Sequence, residues 1–596
     1  MTALCGLTFF FLATSWRKWP HPLIDFGREL YVPWRLATGA LLYRDVEDIY
    51  GPFSQYLNAA FFRLFGPGLM VLVTVNLAVF AAILMLIYSL FRRAWGVGAA
   101  LASAAVFVSV FAFSEYGFPN FNYATPYAHE TTHGMLVCLL LVFVLIRWIQ
   151  NATVGLSLLA GGLLGLTAVI KPEFMLAGGL VTLAAGFARW RHQGGPKPGL
   201  VAAWVGGAIL PTLGFAAYFK SSLSWNEALA AACRAWLNVT GHLSSEGYNL
   251  WTLGLDRPGE HFLVHASATL MACALIAAIV GGAWLVEWCG RTWLQFVIGG
   301  LLAGGLGCLA SFEIAWIGDA GRIDAGRCLP GLALIYACIC AKSFFSKPES
   351  EADHRARITR SLVSLLALAL VARMALNGRI YHYGFYQAAL TGLLVPAVLI
   401  GELPARLKVG GRGRMVIVTA ALALVAPGVV ILASQSQSTL SWHTYAVGDG
   451  VDRFYCNPPE VDPKITGEIV RLFSEELRKT PPDQTLLVLP EGVMLNYLTR
   501  KPSPLAPVSL YAAYMGSGRE DQMVEELRRH PPEWVAIISR GLREFGLKRY
   551  GEKPGSGQQI LRWVAGNYEV ALFVGGDPLD DQQRGGLLLK HKADIK

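Results

Sequence analysis

Residues 67–93 read PGLMVLVTVNLAVFAAILMLIYSLFRR. From Pro67 to Phe91 no residue is charged, and then Arg92 and Arg93 arrive together. At 1.5 Å per residue such a run spans ~30 Å of hydrocarbon with length to spare. A helix buried in a soluble core needs neither that length nor that absence of charge. The stretch predicts a membrane helix, and the arginine pair marks its cytoplasmic end.

The same reading extends over most of the chain. Further uncharged apolar runs cover 94–114, 148–170, 198–219, 261–286, 292–312, 380–401 and 415–435. Shorter ones cover 131–146, 174–188, 328–346 and 359–376, and the segment 2–16 is apolar but brief. No Lys or Arg precedes it and no clean A-x-A site follows, so it reads as a first membrane helix and not as a signal peptide. The count is about 13 helices. Composition agrees: 54% of the 596 residues are hydrophobic, 15% are charged, and mean hydropathy is +0.44. Soluble folds, disordered chains and coiled coils are excluded as the main architecture. No basic patch lies outside the membrane flanks, so a nucleic-acid partner is not expected. Nine of the ten cysteines lie in or beside apolar segments, and no CxxC or zinc spacing occurs.

Orientation follows from Lys and Arg. With the N-terminus inside, the cytoplasmic loops hold about 16 Lys and Arg in roughly 49 residues, against about 14 in roughly 129 on the other side. The net charge of +9 is therefore mainly an orientation signal. An odd helix count places the C-terminal part outside, which in a bacterium is the periplasm of the inner membrane. The long loops, 17–66, 115–130, 220–260 and 313–327, fall on that outer face. Residues 1–435 form the membrane domain, and 436–596 read as a soluble α/β domain. Its elements are a helix at 465–479, a strand at 485–489, a helix at 519–529 and strands at 534–539 and 570–575.

The first outer loop reads HPLIDFGRELYVPWRLATGALLYRDVEDIYGPF over 21–53. Asp25 and Glu29 are four apart, so on a helix they share one face. Two such carboxylates can act as a general base, or hold a divalent cation (Mg or Mn) through oxygen. Asp45, Glu47 and Asp48 read as solvated turn residues before Tyr50-Gly51-Pro52. The second outer loop, EYGFPNFNYATPYAHETTHG over 115–134, has no Lys or Arg. Tyr127, His129 and Glu130 suit a polar lining for a sugar, because aromatic faces and amides match hydroxylated rings. His129, Glu130 and His133 do not form the HExxH zinc motif.

Cations at the outer helix ends are the anion-binding candidates. Lys171 in Lys171-Pro172-Glu173 reads as a turn pair or as a phosphate contact. Arg322 and Arg327, in FEIAWIGDAGRIDAGR over 312–327, offer planar forks that match phosphate oxygens. Arg379, His382 and Tyr383 lie at another helix end and read as an aromatic belt or the rim of a site.

Taken in order, Asp25 after the first helix, Tyr43-Arg44-Asp45, Tyr50-Gly51-Pro52 and PYAHETTHG resemble the GT-C superfamily of membrane glycosyltransferases. The likeness is to bacterial proteins related to protein O-mannosyltransferases and the lipid A aminoarabinose transferase. It is strongest over 20–175. Relatives often carry Asp-Glu adjacent in the first loop, whereas here Phe26 follows Asp25 and the next acid is Glu29. The resemblance implies a GT-C fold and sugar transfer from a polyprenyl-phosphate carrier, in bacteria undecaprenyl phosphate. The acceptor would be an envelope lipid, glycan or protein hydroxyl. It further implies inversion with Asp25 as general base; Arg322, Arg327 and Lys171 are the candidates for the donor phosphate by their chemistry and position, not by a motif.

Two rival readings stay open. A transporter or flippase predicts charges at mid-span and repeat symmetry between halves. Here the centres of the better spans are uncharged, and polar residues gather at the outer ends. A non-catalytic scaffold predicts that replacing Asp25 changes nothing.

Overall fold

The structure is a computed structural model that describes residues 2–19, 26–116, 122–240, 247–316, 326–344, 350–380, 385–462, 465–511, 519–580 and 583–592. Among the described residues, the apolar runs read from the sequence are largely helical. Among the described residues, six helices are long and apolar enough to cross a membrane: Leu69–Trp95, His129–Gln150, Pro198–Lys220, Asn249–Cys289, Phe385–Leu407 and Gly411–Ser441. Shorter apolar helices include Thr2–Ser15, Val97–Ala112 and Val154–Ala168.

Eight helices frame the site. They are α1 (Thr2–Ser15), α2 (Phe26–Ala37), α3 (Pro52–Phe65), α4 (Leu69–Trp95), α5 (Val97–Val106), α6 (His129–Gln150), α7 (Val154–Ala168) and α8 (Pro172–Gln193). Prolines open α3 and α8 at the first helical turn, where their missing N–H costs nothing. The expected run 148–170 splits across two helices. α6 continues to Gln150, and α7 starts afresh after Thr153, whose side chain accepts from the Leu156 N–H at 3.1 Å. A capping hydroxyl ends the run that hydrophobicity alone would join.

The first loop is not an open loop. It folds into α2 and α3, and most of α2 is buried on all sides. Asp48 is buried as well, and Glu47 pairs with Arg519, so the expectation of solvated turn residues holds for Asp45 and is corrected for these two. Glu47 lies under the C-terminal part of the chain.

That part holds the strands found among the described residues. β1 (Tyr445–Val447) and β2 (Phe454–Cys456) form an antiparallel pair. β3 (Leu486–Leu489), β4 (Trp534–Ile538), β5 (Tyr568–Gly575) and β6 (Gly585–His591) form one sheet in the order β3-β4-β6-β5. β3 and β4 are parallel and the other pairs antiparallel. The expected helices appear as Thr466–Arg478 and Arg519–Arg529. The last membrane helix runs on to Ser441, beyond the expected boundary at 435.

The sheet region is seated on the helices by polar contacts. Asp452 accepts from the Leu69 N–H at 2.8 Å, the Tyr497 hydroxyl at 2.9 Å and the Arg500 guanidinium at 2.7 Å. The Ser503 N–H donates to the Tyr31 hydroxyl at 2.9 Å, and the Glu47 N–H to the Ala506 carbonyl at 2.8 Å. Gly27 of α2 lies so close to the helix Met494–Thr499 that a Cβ there would sit 2.7 Å from the Met494 nitrogen.

Candidate active site

The polar residues of the first two loops meet at the end of the helices that carries the sheet. Glu29 stands in the first turn of α2 and is fully buried. Its Oε1 accepts from Arg28 Nη2 at 3.0 Å and Nε at 3.3 Å. Its Oε2 accepts from the His129 backbone N–H at 2.9 Å and pairs with His129 Nδ1. His129 is the first residue of α6, so the carboxylate also meets the positive end of a helix. With Nδ1–H given to Glu29, Nε2 accepts from the Asn76 amide at 3.0 Å. Burial works to raise the Glu29 carboxyl, but His129 and Arg28 together hold it below the usual range.

A second set lies alongside. Asp48 accepts from the Ile49 and Tyr50 N–H groups at 2.6 and 3.2 Å, and from the Gln55 amide at 2.8 Å. The same amide donates to Glu130 at 3.2 Å, so one side chain joins two buried carboxylates. Burial raises the Asp48 carboxyl against the opposing pull of Arg28. His133 meets Ser54 at 3.0 Å through Nδ1. Glu130 Oε2, His133 Nε2 and both amide atoms of Asn58 are buried without a hydrogen-bond partner. These unmatched atoms of α3 and α6 make the region costly as pure structure.

Lys171 closes the group from the opposite side. It precedes Pro172 at the start of α8 and is buried. Its Nζ lies 3.1 Å from Glu173, 4.5 Å from the centre of the Tyr50 ring and 5.9 Å from that of Tyr127. Arg28 lies 5.2 Å from the Tyr50 ring centre, so two cations share that ring. Burial works to lower the Lys171 ammonium, but Glu173 and Tyr127 together hold it above the usual range. Its turn is fixed by α3. The Gly51 N–H donates to the Ile170 carbonyl at 3.0 Å and the Phe53 N–H to the Val169 carbonyl at 3.2 Å. A Cβ on Gly51 would lie 2.2 Å from the Val169 oxygen, so only glycine fits between Tyr50 and Pro52.

Tyr127 belongs to an aromatic wall. Its ring centre is 6.0 Å from that of Tyr386, which is 5.4 Å from Tyr123. Arg327 is held on other elements. It donates to the Asn377 side chain at 3.1 Å, and Asn377 donates to the Thr252 carbonyl at 3.0 Å. Arg373, just past the end of the helix Glu351–Ala372, lies 3.8 Å from Glu173. Lys171 and Arg373 thus share Glu173, while Arg327 is held by Asn377.

Glu29, Lys171, Tyr127, His129 and Glu130 are therefore brought together. Asp25, Arg322 and Tyr383 lie outside the described residues, as does His382. Asp48, Gln55, Asn58 and Asn76 were not singled out from the sequence. The signal for two of them was present: Gln55 and Asn58, at i and i+3, are amides on one face of a mostly apolar helix. Among the described residues no group of three or more His, Cys, Asp or Glu is arranged to hold a metal ion. Both Glu29 oxygens are already used by Arg28 and His129, which does not fit a cation ligand.

No family model and no curated protein matches the sequence. Solved structures do resemble it over its length. The crystal structure of ArnT from Cupriavidus metallidurans bound to undecaprenyl phosphate is 13% identical with a TM-score of 0.43, covering 98% of this chain and 97% of that one. The Archaeoglobus fulgidus oligosaccharyltransferase in the apo form is 12% identical with a TM-score of 0.39, covering 99% of this chain and 75% of that one. At that identity neither assigns a role to any residue here.

Proposed function

We propose that the chain is a membrane glycosyltransferase that moves a sugar from a polyprenyl-phosphate carrier to an envelope hydroxyl. The observation that supports this reading is the buried constellation itself. A cation stacked on aromatic rings, Lys171, stands beside the paired Glu29 and His129 at one end of the membrane helices. In such a water-poor place, fixed charges act strongly on charge that develops in a reaction.

In this reading Asp25, one residue before α2, takes the proton of the acceptor hydroxyl. The acceptor oxygen bonds to the anomeric carbon as the bond from that carbon to the phosphate oxygen breaks. The configuration inverts, and polyprenyl phosphate leaves with the electron pair. Lys171, with Arg322 and Arg327 as the further cation candidates from the sequence, meets the charge on the departing phosphate. Tyr127, Glu130 and Tyr383 face the sugar. Glu29 has no free oxygen, so it is a positioning residue that fixes His129 and the start of α2. No step is routed through a metal ion. The setting is the bacterial inner membrane, with the N-terminus cytoplasmic and the sheet domain periplasmic. The acceptor is a lipid, glycan or protein hydroxyl.

The test is purified protein with a panel of undecaprenyl-phosphate sugars, following loss of sugar from the carrier. Positioned base catalysis contributes ~10²–10⁴-fold, and Asp25→Asn is expected to lose that much while still inserting and folding. Transfer at the wild-type rate by Asp25→Asn would refute the assignment.

A further inference from the structure

We propose that the C-terminal sheet domain carries a second ligand site, a pocket for a phosphate group at the carboxyl end of β4. The pocket has a volume of about 220 Å³ and is lined by Arg540, Arg543, Lys548, Arg549 and Arg584, with Asp580 the one acid among its described lining residues. Residues 436–596 hold 20 Lys and Arg against 21 Asp and Glu. Five cations around one cavity are therefore a local concentration in a domain with no excess of positive charge.

The fold builds this concentration deliberately. β4 ends at Ile538, and Arg540 follows within two residues. Arg584 immediately precedes β6, whose first residue, Gly585, is clamped to Ser539 by two hydrogen bonds of 2.9 and 3.0 Å. In open sheets with parallel strands, ligands bind beyond the carboxyl ends, and β3 and β4 are the parallel pair here. The segment 540–550 is anchored by buried Leu542, Leu547 and Tyr550, while Arg543, Lys548 and Arg549 between them are exposed. Apolar anchors that alternate with cations fix the loop and leave its charges at the cavity. Arg540 is oriented by Glu491, whose Oε2 accepts from its Nε at 3.0 Å.

Ligand class follows from donor type and size. Four of the five cations are arginines, whose fork matches phosphate oxygens. The volume is below the ~300–1,000 Å³ of sites that enclose drug-sized molecules. It suits one phosphate and its immediate attachment. A free phosphate and a phospholipid headgroup present the same chemistry, and the experiment separates them.

The full-length protein is placed in phosphatidylcholine nanodiscs, and hydrogen exchange of 540–550 is followed against inorganic phosphate. In a second arm phosphatidylglycerol replaces phosphatidylcholine stepwise. The expected result is saturable protection in one arm. Saturation by inorganic phosphate identifies a free phosphate, and saturation only by phosphatidylglycerol identifies a headgroup. The double substitution Arg543→Gln with Arg549→Gln is expected to weaken the response about tenfold or more. Both residues are exposed, so folding is retained, and an unchanged melting temperature checks this. Arg528→Gln with Arg529→Gln, on the same domain away from the pocket, is expected to stay within about twofold of wild type. The proposal is overturned by no protection in either arm, by an unchanged response in the 543/549 variant, or by an equal loss in the 528/529 control. Because no sugar transfer is read, this result is independent of the activity proposed above.

Discussion

Glu29 is the residue on which the site's geometry depends most. It ties Arg28, the start of α6 and the ring of His129 into one arrangement, across 100 residues of sequence. Removing one partner of a buried pair costs about 3–5 kcal/mol, because the other charge is left uncompensated. Glu29→Gln is therefore expected to lower stability at neutral pH by that order, read as a lower melting temperature in detergent. The pH dependence has a definite sign. The native carboxyl titrates below the 4.5 of a free glutamate, so its contribution is complete above that value and is lost as pH falls through the native one. The wild-type melting temperature is expected to drop in that acid window, and the drop is expected to shrink in Glu29→Gln. An equal acid drop in both proteins would show that Glu29 is not the group responsible. At this scale the loops were legible: Glu29, His129, Glu130 and Lys171 were named from sequence and do meet. What sequence could not give was their pairing, since only the fold tells that both Glu29 oxygens are taken. Asn76 was hidden for a related reason, because one amide inside an apolar run does not disturb its hydropathy.

Elements were legible wherever hydrophobicity alone decides them. The apolar runs became helices, and the strand at Trp534–Ile538 lies where its apolar residues put it. The failures have local causes. α2 was read as loop because its face is charged and it contains Pro33, which removes the bond to the Glu29 carbonyl. β6 was missed because its strand is introduced by glycines and ends in Lys590 and His591, yet it pairs with both β4 and β5. The contact between α3 and the α7–α8 turn supplies a prediction about elements. Gly51→Ala puts a methyl against a backbone carbonyl, so the turn that carries Lys171 has to move. The expected cost is about 1–3 kcal/mol, with lower turnover. Gly98→Ala is the contrast: nothing lies within 4 Å of its Cβ, and it sits in α5. It is expected to be neutral or to stabilise by up to about 1 kcal/mol. Thermal melts of the two variants, measured together, check this, and equal effects would contradict it.

For the molecule as a whole, the joint between sheet and helices is the feature that composition did not reveal. Sequence separated a membrane part from a soluble part by their charge density. It could not show that the soluble part roofs the first loop, because hydrogen bonds between distant segments leave no periodic trace. Asp452 is the centre of that joint, with three partners on two segments. Asp452→Ala is expected to loosen the roof while the helical part stays folded. Limited proteolysis between Ser441 and Tyr445 should then accelerate, and turnover should fall; cleavage at the wild-type rate would argue against this joint. One contact of the joint also bears on how the chain is made. The Arg17 guanidinium donates to the carbonyls of Gly450 and Arg453, and the Tyr455 N–H donates back to Arg17. Gly450 and Arg453 lie 433 and 436 residues after Arg17. At ~5–20 residues per second, Arg17 leaves the ribosome on the order of half a minute or more before its partners exist. The first helix must therefore wait in the bilayer with its polar end in water, and the roof closes last. Synthesis itself thus leaves the first loop uncovered until the chain is almost complete.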